Sequence, residues 1–272
     1  MALFNFANPW LFAFGILGNF VSFLVYLAPI PTFYRIVKKK SSEGFHSIPY
    51  VIALFSAMLM IYYATLKTDG TLLITINSFG CVIEAVYISL YLAYAPRKAL
   101  VFTLKLVVLL NFVAFWVIVV VIHFLVKPPK QVQVLGGINL LLSLSVFIAP
   151  LSIMKKVIKT KSVEFMPFWL SFFLSLSAVM WFFYGFLSRD IYVATPNILG
   201  FLFGMVQMVL YAIYRNCDNK VTEELKLPEI MKSSTEPNPE IHPKDTMLKS
   251  EADDEKGSEN VNHKNEDASE QV

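Results

Sequence analysis

The chain has 272 residues, 56% of them hydrophobic and 16% charged, with a mean hydropathy of +0.58. A soluble domain is nearer half apolar and a quarter charged, so this composition points to a membrane protein. Residues 1–217 carry 16 Lys+Arg against 5 Asp+Glu, net +11, and residues 218–272 carry 7 against 15, net −8; the sum is the overall +3, which gives no case for nucleic acid as a partner.

Crossing a bilayer takes about 20 apolar residues per helix. The first run, 10–33, has the length, with no basic residue before it and no small-x-small site after it, so it reads as a span and not a cleavable signal. It carries Ser22, Val25 and Pro29 and leads into a basic stretch, APIPTFYRIVKKKSSE, at 28–43. Run 46–65 has Pro49 near its start, then Ser56, Met60 and Tyr63. Run 72–94 carries Asn77, Gly80 and Glu84, and run 103–126 follows. Run 134–154 holds Ser143, Val146 and Pro150 and opens a second basic stretch, APLSIMKKVIKTKSVE, at 149–164. Run 166–187 begins beside Pro167 and carries Ser177, Trp181 and Tyr184; run 191–214, just after Asp190, carries Asn197 and Gly200. The remainder is acidic, poor in aliphatics and without aromatics, which predicts a disordered tail.

Odd-numbered connections hold eleven Lys/Arg (Arg35, Lys38, Lys39, Lys40, Arg97, Lys98, Lys105, Lys155, Lys156, Lys159, Lys161) and even-numbered ones four (Lys67, Lys127, Lys130, Arg189). Basic short loops stay cytosolic, so the N-terminus is predicted outside and the tail inside.

The two basic stretches are copies. At an offset of 121, Ser22, Val25, Pro29, Lys38, Lys40, Ser41, Ser56, Tyr63 and Asp69 recur as Ser143, Val146, Pro150, Lys159, Lys161, Ser162, Ser177, Tyr184 and Asp190. One residue is then dropped, and Asn77 and Gly80 recur as Asn197 and Gly200. A three-span unit enters from one face and leaves from the other, so a second copy in the same orientation needs one crossing in between. The fourth span supplies it. The predicted fold is an all-α membrane protein of seven transmembrane helices, two parallel three-helix repeats joined by a linker helix (3+1+3). Its divisions are 1–94, 95–130 for the linker, 131–215, and the tail 216–272. Parallel repeats are a known plan for secondary transporters, with substrate held between the halves.

Ser22, Val25 and Pro29 fall at i, i+3 and i+7, and Ser56, Met60 and Tyr63 at i, i+4 and i+7; the second copy repeats both spacings. Such residues share a helix face. Polar groups are costly against lipid, so these stripes should face the bundle interior. Small and hydroxyl residues also serve plain helix packing, but two carboxamides, Asn77 and Asn197, need partners. Amide, hydroxyl and Trp together suit an uncharged, polyhydroxylated ligand. Glu84, the one acid within a span, reads as structural, neutral or paired with a basic residue. With no second acid or His in a coupling pattern, passive exchange is the simpler mechanism. The four His have no ligand spacing and no nucleophile–base pair appears, so no metal, no cofactor and no catalysis is expected. Pro29, Pro49, Pro150 and Pro167 loosen four helices near the basic face and suggest a gate.

The stretches GNFVSFLVYLAPIPTFYRIVKKKSSEGFHSIPY, TINSFGCVIE, APLSIMKKVIKTKSVEFMPF and AVMWFFYG…PNILGFLFGMVQMVLY resemble the plant SWEET sugar transporters over about residues 8–215. The resemblance implies a bidirectional, energy-independent sugar uniporter working by alternating access at the plasma membrane. It implies a pocket lined by two Asn and two Trp, mapping to Asn77, Asn197, Trp181 and Met60. Met60 departs from the usual Trp. Ser22, Val25, Ser56, Val146 and Ser177 fall where the family varies pocket size, and their small side chains resemble the sucrose branch. The family's proline tetrad maps to Pro29, Pro49, Pro150 and Pro167, and an extracellular gate to Tyr63 and Asp190. The partners expected are sucrose or another small sugar and the lipid bilayer. Side-by-side association with its own copies or with paralogues fits a unit this small. A hexose carrier of the same fold is the alternative. A heptahelical receptor shares the span count but has no need of parallel repeats.

Overall fold

The computed structural model describes residues 8–42, 44–163, 166 and 168–233, with side chains as far as Arg215. The chain divides into a compact unit, residues 1–226, and a second, 227–272, of which only the end of a helix at 227–233 is described. Among the described residues all regular structure is helical: α1 (Pro9–Leu27), α2 (Ile30–Lys39), α3 (Ile48–Thr65), α4 (Thr71–Tyr94), α5 (Arg97–Val107), α6 (Phe115–Val120), α7 (Pro128–Val146), α8 (Ile148–Thr160), α9 (Phe168–Leu187) and α10 (Ile191–Ser233). Two π-helical segments, Val108–Ala114 and Val121–Leu125, flank α6, so that α5 through Leu125 forms one spanning rod. Seven helical stretches among the described residues are long and apolar enough to cross a membrane.

The spans match the sequence reading except at four ends: the fourth and fifth begin at Arg97 and Pro128, six residues before the 103 and 134 expected, and two spans run on past their expected ends. The first runs on to Lys39 and the fifth to Thr160, beyond the 33 and 154 expected. Apolar length marks where a bilayer ends, not where a helix does. α2 continues the helix with Phe33 and Ile36 buried and Lys38 and Lys39 exposed, an amphipathic arrangement that hydropathy alone truncates. Both extensions end on a lysine at matched positions, Lys40 (φ 50°) and Lys161 (φ 53°), in the left-handed conformation that closes a helix C-terminus. That gives the doubled basic phrase a shared structural job.

Helix starts follow local chemistry. The Asn8 side chain accepts the Leu11 N–H at 3.2 Å, capping α1. Proline stands in the first turn of α1, α3 and α7, where its missing donor is not needed. Pro49 therefore starts α3 and does not loosen it, contrary to the expectation of a weakened helix. Pro29 and Pro150 do interrupt. Pro29 cannot donate to the Val25 carbonyl, which accepts the Ala28 N–H at 3.1 Å instead, and α1 gives way to α2. The second copy breaks at Phe147, whose N–H turns to Leu144 O at 3.2 Å. Pro167 lies outside the described residues, as does the chain beyond Ser233; α10 itself continues past residue 216, where the tail was expected to begin.

In the first repeat α4 packs on both α1 and α3, giving the order α1–α4–α3. The halves meet where α1 crosses α9 and α3 crosses α7, and the linker lies along α3. Phe33 stacks on Tyr87 at 4.4 Å, docking α2 on α4, and Tyr87 donates to Tyr26 O at 2.8 Å, tying α4 to the end of α1. Large apolar side chains such as Phe112, Trp116, Phe124 and Trp169 point outward, as a lipid-facing surface requires.

The repeat is not followed everywhere by its packing. A Cβ on Gly80 would lie 2.5 Å from Tyr26 Oη and 2.7 Å from its Cζ, whereas one on Gly200 would meet nothing nearer than 3.6 Å. Gly80→Ala is expected to cost about 1–3 kcal/mol through overpacking, and Gly200→Ala to be neutral, as thermal melting in detergent would read.

Candidate functional site

Ser177, Trp181 and Tyr184 fall at i, i+4 and i+7 on α9, and all three are buried against α1. The Ser22 and Ser177 hydroxyls are 2.8 Å apart, and Trp181 Nε1–H donates to Ser22 Oγ at 2.9 Å. This knot joins the first repeat to the second in mid-span. The α3–α7 crossing has no equivalent. The Met60 side chain has no N–H to donate, and among the described residues no hydrogen bond joins Ser56 to Ser143. Environment departs from symmetry too: Val25 is half-buried, whereas Val146 is 49% exposed.

At the end of the bundle opposite the basic helices, the halves are latched twice. Tyr63 Oη donates to both Asp190 carboxylate oxygens at 2.9 Å. In the counterpart, Tyr184 Oη donates to the backbone carbonyl of Asp69 at 2.7 Å. Each tyrosine is buried and each reaches across to the other repeat. Arg189, in the left-handed region (φ 54°), turns the chain after α9 so that Asp190 becomes the cap of α10. The carboxylate takes the Tyr192 and Val193 N–H groups at 3.1 and 3.2 Å. Lys67 completes the cluster with an ion pair to Asp190, its ammonium 5.4 Å from the Tyr63 ring centroid.

Asn77 on α4 and Asn197 on α10 adopt one geometry. Each spends an amide hydrogen on the carbonyl four residues back, Leu73 at 2.8 Å and Val193 at 2.7 Å. That fixes the rotamer and leaves the oxygen and second N–H presentable, and both residues are half-buried. Among the described residues no hydrogen bond joins the two amides to each other or to the Ser22 knot. Glu84 is buried with Oε2 unpartnered, and no cation pairs with it among the described residues; of the two expectations, neutral or paired with a basic residue, the pairing is not met.

Sequence reasoning thus found Tyr63 and Asp190 but not Lys67, nor the bond made by Tyr184. Tyr184 and Asp69 were legible, since they are the repeat images of Tyr63 and Asp190. Lys67 has Ser188 at its image, and its only signal was a lone cation at the end of an uncharged span.

A family profile described as sugar efflux transporter for intercellular exchange matches residues 12–99 and again 133–219. The two starts differ by 121, the offset of the internal repeat, and the unmatched segment between them is the linker. The chain belongs to the SWEET family. Among its SWEET relatives, Bidirectional sugar transporter SWEET11 of Arabidopsis thaliana is 55% identical over 85% of this chain and 82% of its own length. Bidirectional sugar transporter SWEET13 of Oryza sativa subsp. japonica is 60% identical over 79% of this chain and 73% of its own. A solved structure of a eukaryotic SWEET transporter matches with a TM-score of 0.73 and 35% identity, covering 76% of this chain and 98% of the other. The 3+1+3 helical fold is therefore that of a multi-pass SWEET membrane protein.

Proposed function

We propose that this chain is a bidirectional, energy-independent sugar uniporter that works by alternating access and carries sucrose out of cells across the plasma membrane, N-terminus outside and tail in the cytosol. Its relatives, bidirectional sugar transporters by name at 55–60% identity, support the activity. The reading of the pocket rests above all on the matched carboxamides of Asn77 and Asn197, one on each repeat and held in one geometry. Uncharged amides hydrogen-bond hydroxyls without demanding a charged ligand. Trp181 and Met60 offer apolar faces, and Ser22, Val25, Ser56, Val146 and Ser177 set the width between the halves. Tyr63 and Asp190 form the outer gate; Pro29 and Pro150, with Pro49 and Pro167 near the starts of their spans, form the inner one. No catalytic step is assigned to the chain.

The test is uptake and efflux of labelled sucrose and glucose in cells lacking sugar carriers. Sucrose flux in both directions, unaffected by a proton uncoupler, is expected. Flux of glucose alone would move the cargo to hexoses, and flux of neither sugar, with the protein at the surface, would overturn the transport reading.

A further inference from the structure

The departure at Met60 has a counterpart on the facing helix. Trp181 lies flat on Gly18 of α1: a Cβ there would come within 3.0–3.3 Å of three atoms of the indole. Shifted by the repeat offset, Gly18 becomes Asn139 on α7 and Trp181 becomes Met60 on α3, and α7 packs on α3, less extensively than α1 on α9. The register transfers faithfully. Gly15, whose Cβ would press on Leu72, has its image in Gly136, whose Cβ would lie 2.6 Å from the ring of Tyr192, the image of Leu72. Met60 is packed against the apolar cluster that contains Leu135, one turn before Asn139.

Asn139 is not an inert replacement. Its residue is 2% exposed, and its amide donates to Leu135 O at 3.1 Å, while Oδ1 is buried with no hydrogen-bond partner. A buried carboxamide oxygen left unmatched is costly in an apolar span, and a hydroxyl-bearing ligand would satisfy it. Glycine at position 18 leaves room for a ring. Asparagine at 139 takes that room, and an unbranched Met, which bends where an indole cannot, fits beside it.

We propose that Asn139 and Met60 form a matched pair that replaces the Gly–Trp contact of the other crossing, and that Asn139 Oδ1 accepts a hydrogen bond from a sugar hydroxyl. Asn139 is thus a specificity-determining residue on one side of an asymmetric pocket, whose other side keeps Trp181. The ligand half of this inference rests on the sugar-transport reading; the steric half does not. The pairing predicts that Met60→Trp harms the protein in the presence of Asn139 and helps it beside Asn139→Gly.

The experiment compares the full chain with Met60→Trp, Asn139→Gly, the double variant and Asn139→Leu. Thermal melting in detergent reads the pairing. Met60→Trp alone should lower the melting temperature by about 3–6 °C, and the double variant should recover most of that loss. Additive effects of the two substitutions would overturn the pairing. Labelled sucrose and glucose flux reads the contact. Asn139→Leu, which keeps the volume and removes the acceptor, should raise the sucrose KM by about five- to tenfold and change the sucrose-to-glucose preference, at unchanged surface level. A sucrose KM within about twofold of the parent would overturn the contact. If the parent itself moves no sugar, the transport reading and the contact fall together, and the melting data still decide the pair.

Discussion

Replacing Asn77 and Asn197 together by alanine is expected to lower sugar flux about a hundredfold while leaving the protein folded and at the surface. Each amide is tied to its own helix by one N–H, at 2.8 and 2.7 Å, so the group offered to a ligand is already oriented. A hydrogen bond to an uncharged hydroxyl contributes about 0.5–1.5 kcal/mol, and a factor of ten in affinity corresponds to about 1.4 kcal/mol. Each single substitution should therefore cost up to about tenfold in uptake of labelled sucrose, and the double substitution roughly the product, because the amides share no hydrogen bond. Fold stability should hardly move, since the bond lost in each case is a local one to the carbonyl four residues back. An unchanged flux in the double variant would remove the carboxamides from the pocket.

Asp190→Ala is expected to have the largest effect on stability, about 3–5 kcal/mol, because it strips the partner from a largely buried lysine. Asp190 serves four groups at once: Tyr63 Oη at 2.9 Å, the Lys67 ammonium, and the Tyr192 and Val193 N–H groups that start α10. Truncation would uncap α10, unlatch Tyr63 and leave Lys67 without its anion, with its side chain only 17% exposed. Tyr63→Phe should cost about 1 kcal/mol, since it removes only the hydroxyl's bond and leaves the ion pair and the cap intact. Melting temperatures in detergent would rank the two. Equal losses would mean that the tyrosine, and not the carboxylate, organises this end of the bundle.

The repeat made most of the architecture readable. An offset of 121, seven apolar runs and a surplus of basic residues in alternate connections were enough to give helix number, relative orientation and the place of the linker. Matched polar residues within apolar spans then marked Ser22, Ser177, Asn77 and Asn197, and spacing along the helix face of Ser177 added Trp181. Other features depended on information that a linear pattern does not carry. The π-helical turns around α6 have no Pro or Gly to announce them. The extension of α2 hides behind its charges because hydropathy averages away an amphipathic face. Lys67 became a partner of Asp190 only through the approach of two loops 123 residues apart. Met60 was visible as a departure, but its meaning depends on which residue faces it, and Asn139 belongs to a helix 79 positions further on, a juxtaposition set by packing.

The two latches at the end of the bundle opposite the basic helices differ in how they are inherited. One is held by a carboxylate, so a single codon change at position 190 can abolish it. The other is held by a main-chain carbonyl at Asp69, which every amino acid carries. The Tyr184 bond is therefore indifferent to which side chain stands at 69, while the Tyr63 bond depends on the side chain at 190. Identical ancestry has left two equivalent aspartates serving their tyrosines through different atoms, and a count of matched residues between the repeats would not reveal it.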